Sequence, residues 1–309
     1  MDKKTRVFIV LGPTASGKTA VAIELAKRIN GEIISADSMQ IYCGMDIGTA
    51  KPTPEERDGV THHLLDVVKP DEPYSAALFQ KQALRLIGRI AGQGKVPVVA
   101  GGTGLYIHSI TYRLDFSQAK SNDALRKTFE EYTDAELYEM LKAADAEAAK
   151  RIHPNDRKRI VRQLEILKTA KEKPEYDFLQ MNDDFDFIIS GLTAERPLLY
   201  ERINRRVDEM FTKGLALEAK SLFDQYGSQP AAMQAIGYKE FVPFFESGLL
   251  QDTYEEARDT IKRNTRRFAK RQITWFKRDP RITWYDVSQY KTPAQLADEI
   301  LRRASNGNT

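Results

Sequence analysis

VFIVLGPTASGKTAVAIELAKRI, residues 7–29, decides the fold. It starts as an apolar run, Val7–Leu11, passes through a turn that contains glycine, Gly12–Thr19, and continues with helical spacing of apolar residues over Ala20–Ile29. The turn GPTASGKT matches G-x-x-x-x-G-K-[ST] at every position. It also lies between a predicted strand and a predicted helix, the context that this phosphate-binding motif requires. The sequence therefore predicts a P-loop.

The residue types in this loop fit the binding of a phosphate. Gly12 and Gly17 permit backbone conformations that turn N–H groups inward, and the following helix adds its positive end. Lys18 is expected to bridge phosphate oxygens, and Thr19 to ligate a Mg²⁺ ion, the predicted cofactor, shared with them. The predicted phosphate-binding residues are Gly12, Pro13, Thr14, Ala15, Ser16, Gly17, Lys18 and Thr19.

More apolar runs rich in Val and Ile follow along the chain. They are Glu32–Ala36, Val96–Ala100, Phe185–Leu192 and Ile282–Val287. Helical spacing separates the first three strands, which indicates a parallel sheet covered on both faces. We therefore expect an α/β fold, a P-loop NTPase-like parallel sheet flanked by helices.

Between Asp115 and Asp184 the composition changes. Glycine is absent, and Leu, Ala, Glu and Lys dominate at helical spacing. Because the fourth strand follows this block, we interpret residues 115–184 as an all-helical insertion, with residues 1–114 and 185–309 forming the P-loop core.

Composition limits the class of protein. No stretch reaches the roughly 18 apolar residues of a membrane span, and the chain enters a strand without a signal peptide. Cys43 is the single cysteine, so the chain has no internal disulfide and no cysteine-based zinc site. These features predict a cytoplasmic protein that does not bind a membrane.

The charge is unevenly distributed, although the net charge is only +3. Residues 150–173 contain nine Lys/Arg against three Asp/Glu, and residues 258–281 contain ten against two. Two basic segments favour an anionic partner such as nucleic acid, whereas solvated helix faces are the alternative. In the second segment, helical spacing predicts a basic face opposite Ile261, Phe268 and Trp275. That face contains Arg263, Arg266, Arg267, Lys270 and Arg271.

Asp37, in IISADSMQIY at residues 33–42, lies just past the second strand, at the edge of a parallel sheet where ligands bind. A carboxylate there is placed to act as a general base, although a capping role in the next turn is the commoner use of such a residue. The residues alone leave both interpretations open. The third strand ends in the glycines of VPVVAGGTG instead of a magnesium-binding aspartate, which disfavours an ordinary nucleotide hydrolase.

Seven motifs, in order along nearly the whole chain, resemble those of the bacterial tRNA dimethylallyltransferases. They are GPTASGKT at 12–19, SADSMQIY at 35–42, DIGTAKP at 46–52, HHLLD at 62–66, VVAGGTGLY at 98–106, QAIGYKE at 234–240 and KRQITWFKRD at 270–279. The resemblance implies transfer of a dimethylallyl group from dimethylallyl diphosphate to N6 of adenosine 37, next to the anticodon in tRNA, with release of diphosphate.

The resemblance also implies roles for individual residues. The P-loop would hold the diphosphate of the donor, and Asp37 would accept the N6 proton or orient that nitrogen. Thr103 would lie near the adenosine or the diphosphate. An arginine of ERINRRVDEMF would contact the diphosphate; Arg206 is favoured and Arg202 stays open. The predicted catalytic residues are therefore Asp37, Thr19, Lys18, Arg206 and Thr103.

Contacts with the anticodon stem-loop are implied by the same resemblance. The residues are Asp37, Ser38, Met39, Gln40, Thr103, Arg126, Arg159, Ile160, Val161, Arg162 and Gln163. Arg126 rests on a weaker match, because the chain reads LDFSQAKSNDALRK where many relatives have a proline-rich stretch. The adenosine must leave its stack to reach a buried carboxylate. The expected partners are tRNA and dimethylallyl diphosphate, with no protein partner required, and the protein is expected to be a monomer.

Three other functions are compatible with parts of the sequence. A P-loop kinase of a small metabolite would use ATP and Asp37, and a tRNA-binding regulator would need no catalytic residue. Prenyl transfer to free adenosine monophosphate is more similar to the implied reaction. However, a nucleotide-sized substrate needs neither two basic segments nor a helical insertion.

Overall fold

The structure is a computed structural model. It describes residues 4–114, 116, 122–169, 180–248 and 254–306. The chain divides into two compact units, Met1–Thr111 with Asn182–Thr309, and Tyr112–Met181. The predicted insertion boundaries, 115 and 184, each differ from this division by three residues. Asp115 itself lies outside the described residues.

The first unit is built on a six-stranded parallel sheet in the order β3-β2-β4-β1-β5-β6. The strands are β1 Thr5–Leu11, β2 Gly31–Ser35, β3 His62–His63, β4 Val96–Gly101, β5 Phe185–Thr193 and β6 Thr283–Asp286. The predicted fold class, an α/β parallel sheet flanked by helices, is confirmed.

The helices follow in chain order. They are α1 Lys18–Arg28, α2 Ala76–Gly92, α3 Gly104–Thr111, α4 Asp123–Thr128, α5 Asp134–Ala144, α6 Ala146–Arg151, α7 Arg157–Thr169, α8 Arg196–Thr212, α9 Leu215–Tyr226, α10 Val242–Ser247, α11 Tyr254–Phe276 and α12 Pro293–Asn306. Short 3₁₀ turns lie at Ala231–Gln234 and Val287–Gln289. Within the described part of the chain, no helix is long and apolar enough to cross a membrane.

Strand β1 explains how the core is arranged around the sheet. Its residues Val7–Leu11 are all buried, because alternate side chains point to opposite faces and both faces are covered. Val7, Ile9 and Leu11 share a hydrophobic cluster with α2 and α3, whereas Phe8 and Val10 share one with α1 and α12. Because β1, β2 and β4 pair in parallel, their carboxyl ends lie at the same end of the sheet.

The edge strand β3 is absent from the sequence-based prediction. It is two residues long, too short to give an alternation of apolar and polar residues. His63 Nε2 lies 2.6 Å from Glu32 Oε2 on the neighbouring strand, and Lys95 Nζ lies 2.5 Å from Glu32 Oε1. Polar contacts therefore accompany the pairing at this edge.

The second unit is helical and has its own core. Phe129, Leu137, Leu141, Ile160 and Leu164 are buried together there. Helix α5 begins at a capping box, in which the Thr133 hydroxyl accepts from the Glu136 N–H and the Glu136 carboxylate accepts from the Thr133 N–H. Apolar side chains at helical spacing therefore form the core of this unit.

Candidate active site

The P-loop follows β1 directly and leads into α1. Gly12 has φ 148°, and a Cβ there would lie 2.5 Å from the Leu192 carbonyl oxygen, so only glycine fits. Gly17, at φ 84°, precedes the first turn of α1, where backbone N–H groups lack helical partners. The loop therefore presents the positive end of α1 at the edge of the sheet, as the motif predicts.

Lys18 closes the loop on itself. Its Nζ donates to the Pro13 carbonyl oxygen at 2.7 Å, and the Ser16 hydroxyl donates to the same oxygen at 2.8 Å. Burial and the nearby Arg206 charge lower the pKa of Lys18 to about 8, against the opposing effect of Asp37. The ammonium group is therefore poorly solvated and gains from an anion at this site.

A cavity of about 350 Å³ opens beside the loop. It brings together many of the residues predicted from the sequence. They are Thr14, Lys18, Thr19, Asp37, Ser38, Met39, Gln40, Thr103 and Arg206. Apolar side chains line another part of the same cavity: Ile203, Val207, Met210, Ile236 and Ile261. A cationic end and an apolar wall suit a small molecule with an anionic head and a hydrocarbon tail.

The placement of the Asp37 carboxylate is compatible with both roles that the sequence left open, capping the turn and acting as a base. Its Oδ1 accepts from the Met39 N–H at 2.9 Å, which is the turn-capping role, and the side chain also lines the cavity. The next residue is tied to the turn after β4, because the Ser38 N–H donates to Thr103 Oγ1 at 3.0 Å. Asp37 and Thr103 are thus parts of one connected edge of the cavity.

Gln40 is held by the protein itself. Its Nε2 donates to the carbonyl oxygens of Thr49 and Ala50 at 3.2 and 3.3 Å, and its Oε1 accepts from the Ser35 hydroxyl at 3.1 Å. Thr49 and Ala50 also line the cavity. The amide therefore helps to shape the cavity wall, and its oxygen keeps a second lone pair for a ligand.

Arg206 and Arg202, the two candidates on α8, have different surroundings. Arg206 lines the cavity, whereas Arg202 lines an adjoining open groove of about 480 Å³. Burial lowers the pKa of Arg206, opposed by the charges of Asp37, Glu56 and Glu209. Lys18, Thr19 and Arg206 line both the cavity and the groove. We refer to the second space as the outer groove.

In the helical unit, two of the predicted tRNA contacts converge on one buried carboxylate. Glu165 Oε2 accepts from Arg126 at 3.0 Å and from Arg162 at 2.5 Å, and Glu165 Oε1 accepts from the Asn122 N–H at 2.5 Å. Hydrogen bonds from these three groups lower the pKa of Glu165 although burial opposes them. Arg159 is exposed, and its Nε lies 3.3 Å from Oδ2 of Asp156, the residue just before α7.

Ile160 differs from its neighbours on α7. The sequence predicts that it contacts tRNA, but its side chain is fully buried in the core of the helical unit. Its helical neighbours Val161 and Gln163 are partly exposed. Ile160 therefore supports the helix that carries the predicted contacts. Residues 170–173, the end of the first basic segment, lie outside the described residues.

The basic face predicted for α11 is only partly present. Arg263, Arg267, Lys270 and Arg271 are exposed, but Arg266 donates to Asn204 Oδ1 on α8 at 2.6 Å. Phe268 lines the cavity together with Ile261, with which the prediction grouped it, and Arg271 is the basic residue that departs from the exposed face. Phe268 and Arg271 both line the cavity, and the Arg271 guanidinium lies 5.7 Å from the Phe268 ring centroid. Residues three apart share a helix face, which explains the contact.

Sequence reasoning did not assign the residues that hold the cavity wall at 46–50. Glu218 accepts from the N–H groups of Ile47 and Gly48 at 2.8 and 3.0 Å, and from the Tyr238 hydroxyl at 2.7 Å. A Cβ at Gly48 would lie 2.6 Å from the Tyr238 ring. Both residues lie in motifs that the sequence analysis singled out, Gly48 in DIGTAKP and Tyr238 in QAIGYKE. Only the fold brings the two motifs into contact.

Comparisons with known proteins agree with this geometry. The family model described as IPP transferase matches residues 40–279, and one described as isopentenyl transferase matches residues 5–72. A tRNA dimethylallyltransferase of Alkaliphilus oremlandii is 48% identical over 307 residues, which cover 97% of each chain. Among solved structures, a tRNA delta(2)-isopentenylpyrophosphate transferase from Staphylococcus epidermidis has 41% identity and a TM-score of 0.73, covering 98% of this chain and 99% of that chain.

A eukaryotic dimethylallyltransferase acting on tRNA is similar in fold as well. It has 29% identity and a TM-score of 0.83, covering 98% of this chain and 80% of that chain. The resemblance inferred from the seven motifs is thus confirmed by matches over nearly the whole length. The chain belongs to the IPP transferase family, whose members include the tRNA dimethylallyltransferases.

Proposed function

We propose that the protein transfers a dimethylallyl group from dimethylallyl diphosphate to N6 of adenosine 37 in tRNA, giving N6-(dimethylallyl)adenosine and diphosphate. The observation that carries the proposal is the cavity in which the P-loop, Asp37 and an apolar wall meet. Its cationic end suits a diphosphate, its apolar wall suits a five-carbon tail, and its carboxylate suits an amine that must lose a proton. The names of the relatives support the same reaction.

The diphosphate of the donor binds at the P-loop. As the C1–O bond breaks, the diphosphate gains negative charge, so fixed cations there stabilise the transition state more than the ground state. Lys18 and Arg206 are those cations, and the cost of their burial is recovered when the anion is present. Thr19 reaches the same place with a hydroxyl oxygen, a donor that suits Mg²⁺ together with phosphate oxygens. When bound at Thr19, Mg²⁺ would neutralise part of the charge on the leaving diphosphate.

Asp37 acts on the nucleophile. The N6 lone pair forms a bond to C1 of the donor while the C1–O bond electrons leave with diphosphate. The nitrogen becomes cationic and transfers a proton to the Asp37 carboxylate, which acts as the general base. Thr103 holds the adjacent Ser38 N–H and so keeps the carboxylate segment in place.

The two substrates approach from different sides. The outer groove adjoins the cavity through Lys18, Thr19 and Arg206, so the donor enters there with its diphosphate in contact with all three residues. The adenosine, flipped out of its stack, enters the cavity past Ser38 and Met39. This arrangement keeps the diphosphate away from the RNA backbone, which has the same sign of charge.

Exposed basic side chains hold the tRNA by its phosphates. On α11 these are Arg263, Arg267 and Lys270, and in the helical unit Arg159, beside the partly exposed Arg126 and Arg162 that Glu165 holds. Each lost phosphate contact is expected to lower the salt dependence of tRNA binding by roughly one counterion. We further propose that the protein works as a monomer and that it is cytoplasmic. The single cysteine, Cys43, supports the second of these, because it fits a reducing compartment.

One experiment decides the reaction and the acceptor together. Unmodified tRNA is incubated with Mg²⁺, the enzyme and either labelled dimethylallyl diphosphate or labelled ATP, and the tRNA is digested to nucleosides for mass analysis. The proposal predicts adenosine carrying one five-carbon group and no ATP consumption. ATP turnover with unchanged tRNA would instead indicate a P-loop kinase.

A further inference from the structure

Gln272 links two loops of the active site that are far apart in the sequence. It lies on α11, is 6% exposed and lines the cavity. Its Oε1 accepts from the Thr14 N–H of the P-loop at 2.9 Å. Its Nε2 donates to the Gly102 carbonyl oxygen, in the turn after β4, at 2.9 Å. One amide group therefore bonds to both loops at once.

The fit around this amide is close. A Cβ on Gly102 would lie 2.3 Å from Gln272 Nε2, so the glycine allows the amide to approach the backbone. Gly101, in the same GGTG turn, would place a Cβ 2.2 Å from the Ala36 carbonyl oxygen. The turn is thus pressed between Gln272 on one side and the end of β2 on the other.

From this turn the contacts continue to Asp37. Gly102 precedes Thr103, whose Oγ1 accepts from the Ser38 N–H at 3.0 Å. Ser38 follows Asp37 directly. The connected groups therefore run from the P-loop through Gln272 and the GGTG turn to the residue beside the carboxylate.

We propose that Gln272 is a positioning residue, which fixes the P-loop and the Asp37 segment relative to each other so that the electrophilic carbon and the base face the same nitrogen. The inference rests on the proposed function. A neutral amide is suited to this role because it offers one acceptor and one donor in a fixed plane. A carboxylate has no donor for the Gly102 carbonyl, and a hydrocarbon side chain has neither group.

The test uses Gln272→Met, which keeps the length of the side chain and removes both hydrogen bonds. A displacement of about 1 Å at a reacting centre costs about 100-fold in rate. We expect kcat to fall by about 10- to 100-fold, while the dissociation constant for tRNA changes by less than about twofold. The control is Thr274→Val on the exposed side of the same helix, where the hydroxyl only donates to the Lys270 carbonyl. It is expected to match the wild type.

A second variant, Gln272→Glu, keeps the bond from Thr14 and loses the donor when it is ionised. A glutamate with an ordinary pKa of about 4.3 is ionised at neutral pH and offers no donor to the Gly102 carbonyl, so kcat should fall below the wild-type value. This variant also carries the test if Gln272→Met does not fold. A kcat equal to that of the wild type, in either Gln272→Met or Gln272→Glu, would overturn the inference.

The proposed function is judged separately, by the wild-type enzyme. A wild type that does not prenylate tRNA contradicts the proposed function, whereas a wild type and a Gln272→Met variant that prenylate equally well contradict only the role of Gln272. A parallel loss of tRNA affinity and kcat would assign Gln272 to RNA binding instead and would also overturn the inference.

Discussion

The substitution Asp37→Asn tests the proposed base with little change in shape. An Asn Oδ1 can still accept from the Met39 N–H, the 2.9 Å bond that fixes this side chain. The substitution therefore removes the negative charge and the basicity but retains the turn. A loss of kcat can then be assigned to the lost carboxylate and not to a displaced loop.

The expected loss follows from the role. General base catalysis contributes about 10²- to 10⁴-fold, equal to about 3–5 kcal/mol of transition-state stabilisation. A second effect concerns Lys18, whose pKa of about 8 is held up by the Asp37 charge. Without that charge the pKa of Lys18 moves lower, so the donor binds less well at high pH. The variant should lose kcat at every pH, and kcat/KM for the donor should decline from a lower pH than in the wild type.

The assay is single-turnover transfer of labelled dimethylallyl groups to tRNA across a range of pH, with tRNA binding measured separately. Asp186→Asn is the matched control, because Asp186 pairs with Arg6 at 2.9 Å and does not line the cavity. We expect the control to equal the wild type. An Asp37→Asn enzyme with a rate within about threefold of the wild type would refute the role of Asp37 as the base.

Other predictions concern different parts of the molecule. In the wild type, kcat/KM for the donor should fall as the pH rises through about 8, because the free enzyme then loses the Lys18 ammonium; a flat profile up to about pH 9 would contradict this. Glu165→Gln removes the charge that orients Arg126 and Arg162, so KM for tRNA should rise about 10-fold with kcat and KM for the donor retained, and an unchanged tRNA KM in steady-state assays would contradict it. Gly48→Ala forces a methyl group against the Tyr238 ring and should lower stability by about 1–3 kcal/mol in denaturant unfolding, whereas Gly88→Ala, which meets no atom within 4 Å, should not destabilise; equal stability of the two variants would contradict the packing argument.

The sequence was sufficient to predict features that depend on one contiguous stretch of residues. The P-loop is a contiguous motif, and the strands are short apolar runs, so β1, β2, β4, β5 and β6 are all predicted within a few residues of their observed bounds. Asp37 could be located because it follows a predicted strand, and the carboxyl ends of parallel strands share one edge. Its proximity to Lys18 follows from topology without any distance being known.

The remainder depends on contacts between distant segments. Gln272 is separated from Thr14 by 258 residues, and nothing in the local sequence indicates that its amide bonds to the P-loop. Helical spacing grouped Arg271 with the exposed basic face, and only the fold shows that its guanidinium lines the cavity beside Phe268. Ile160 lies within a basic stretch, and only the packing of the helical unit assigns its side chain to the core.

The most direct test of the account is a crystal structure of the enzyme with an anticodon stem-loop and a non-reactive thiolo analogue of dimethylallyl diphosphate. The account predicts the diphosphate on Gly12–Thr19 and Arg206, the tail against the apolar wall, and the adenine N6 within about 3 Å of an Asp37 oxygen. A diphosphate bound elsewhere, or an adenine whose N6 lies far from that carboxylate, would contradict it.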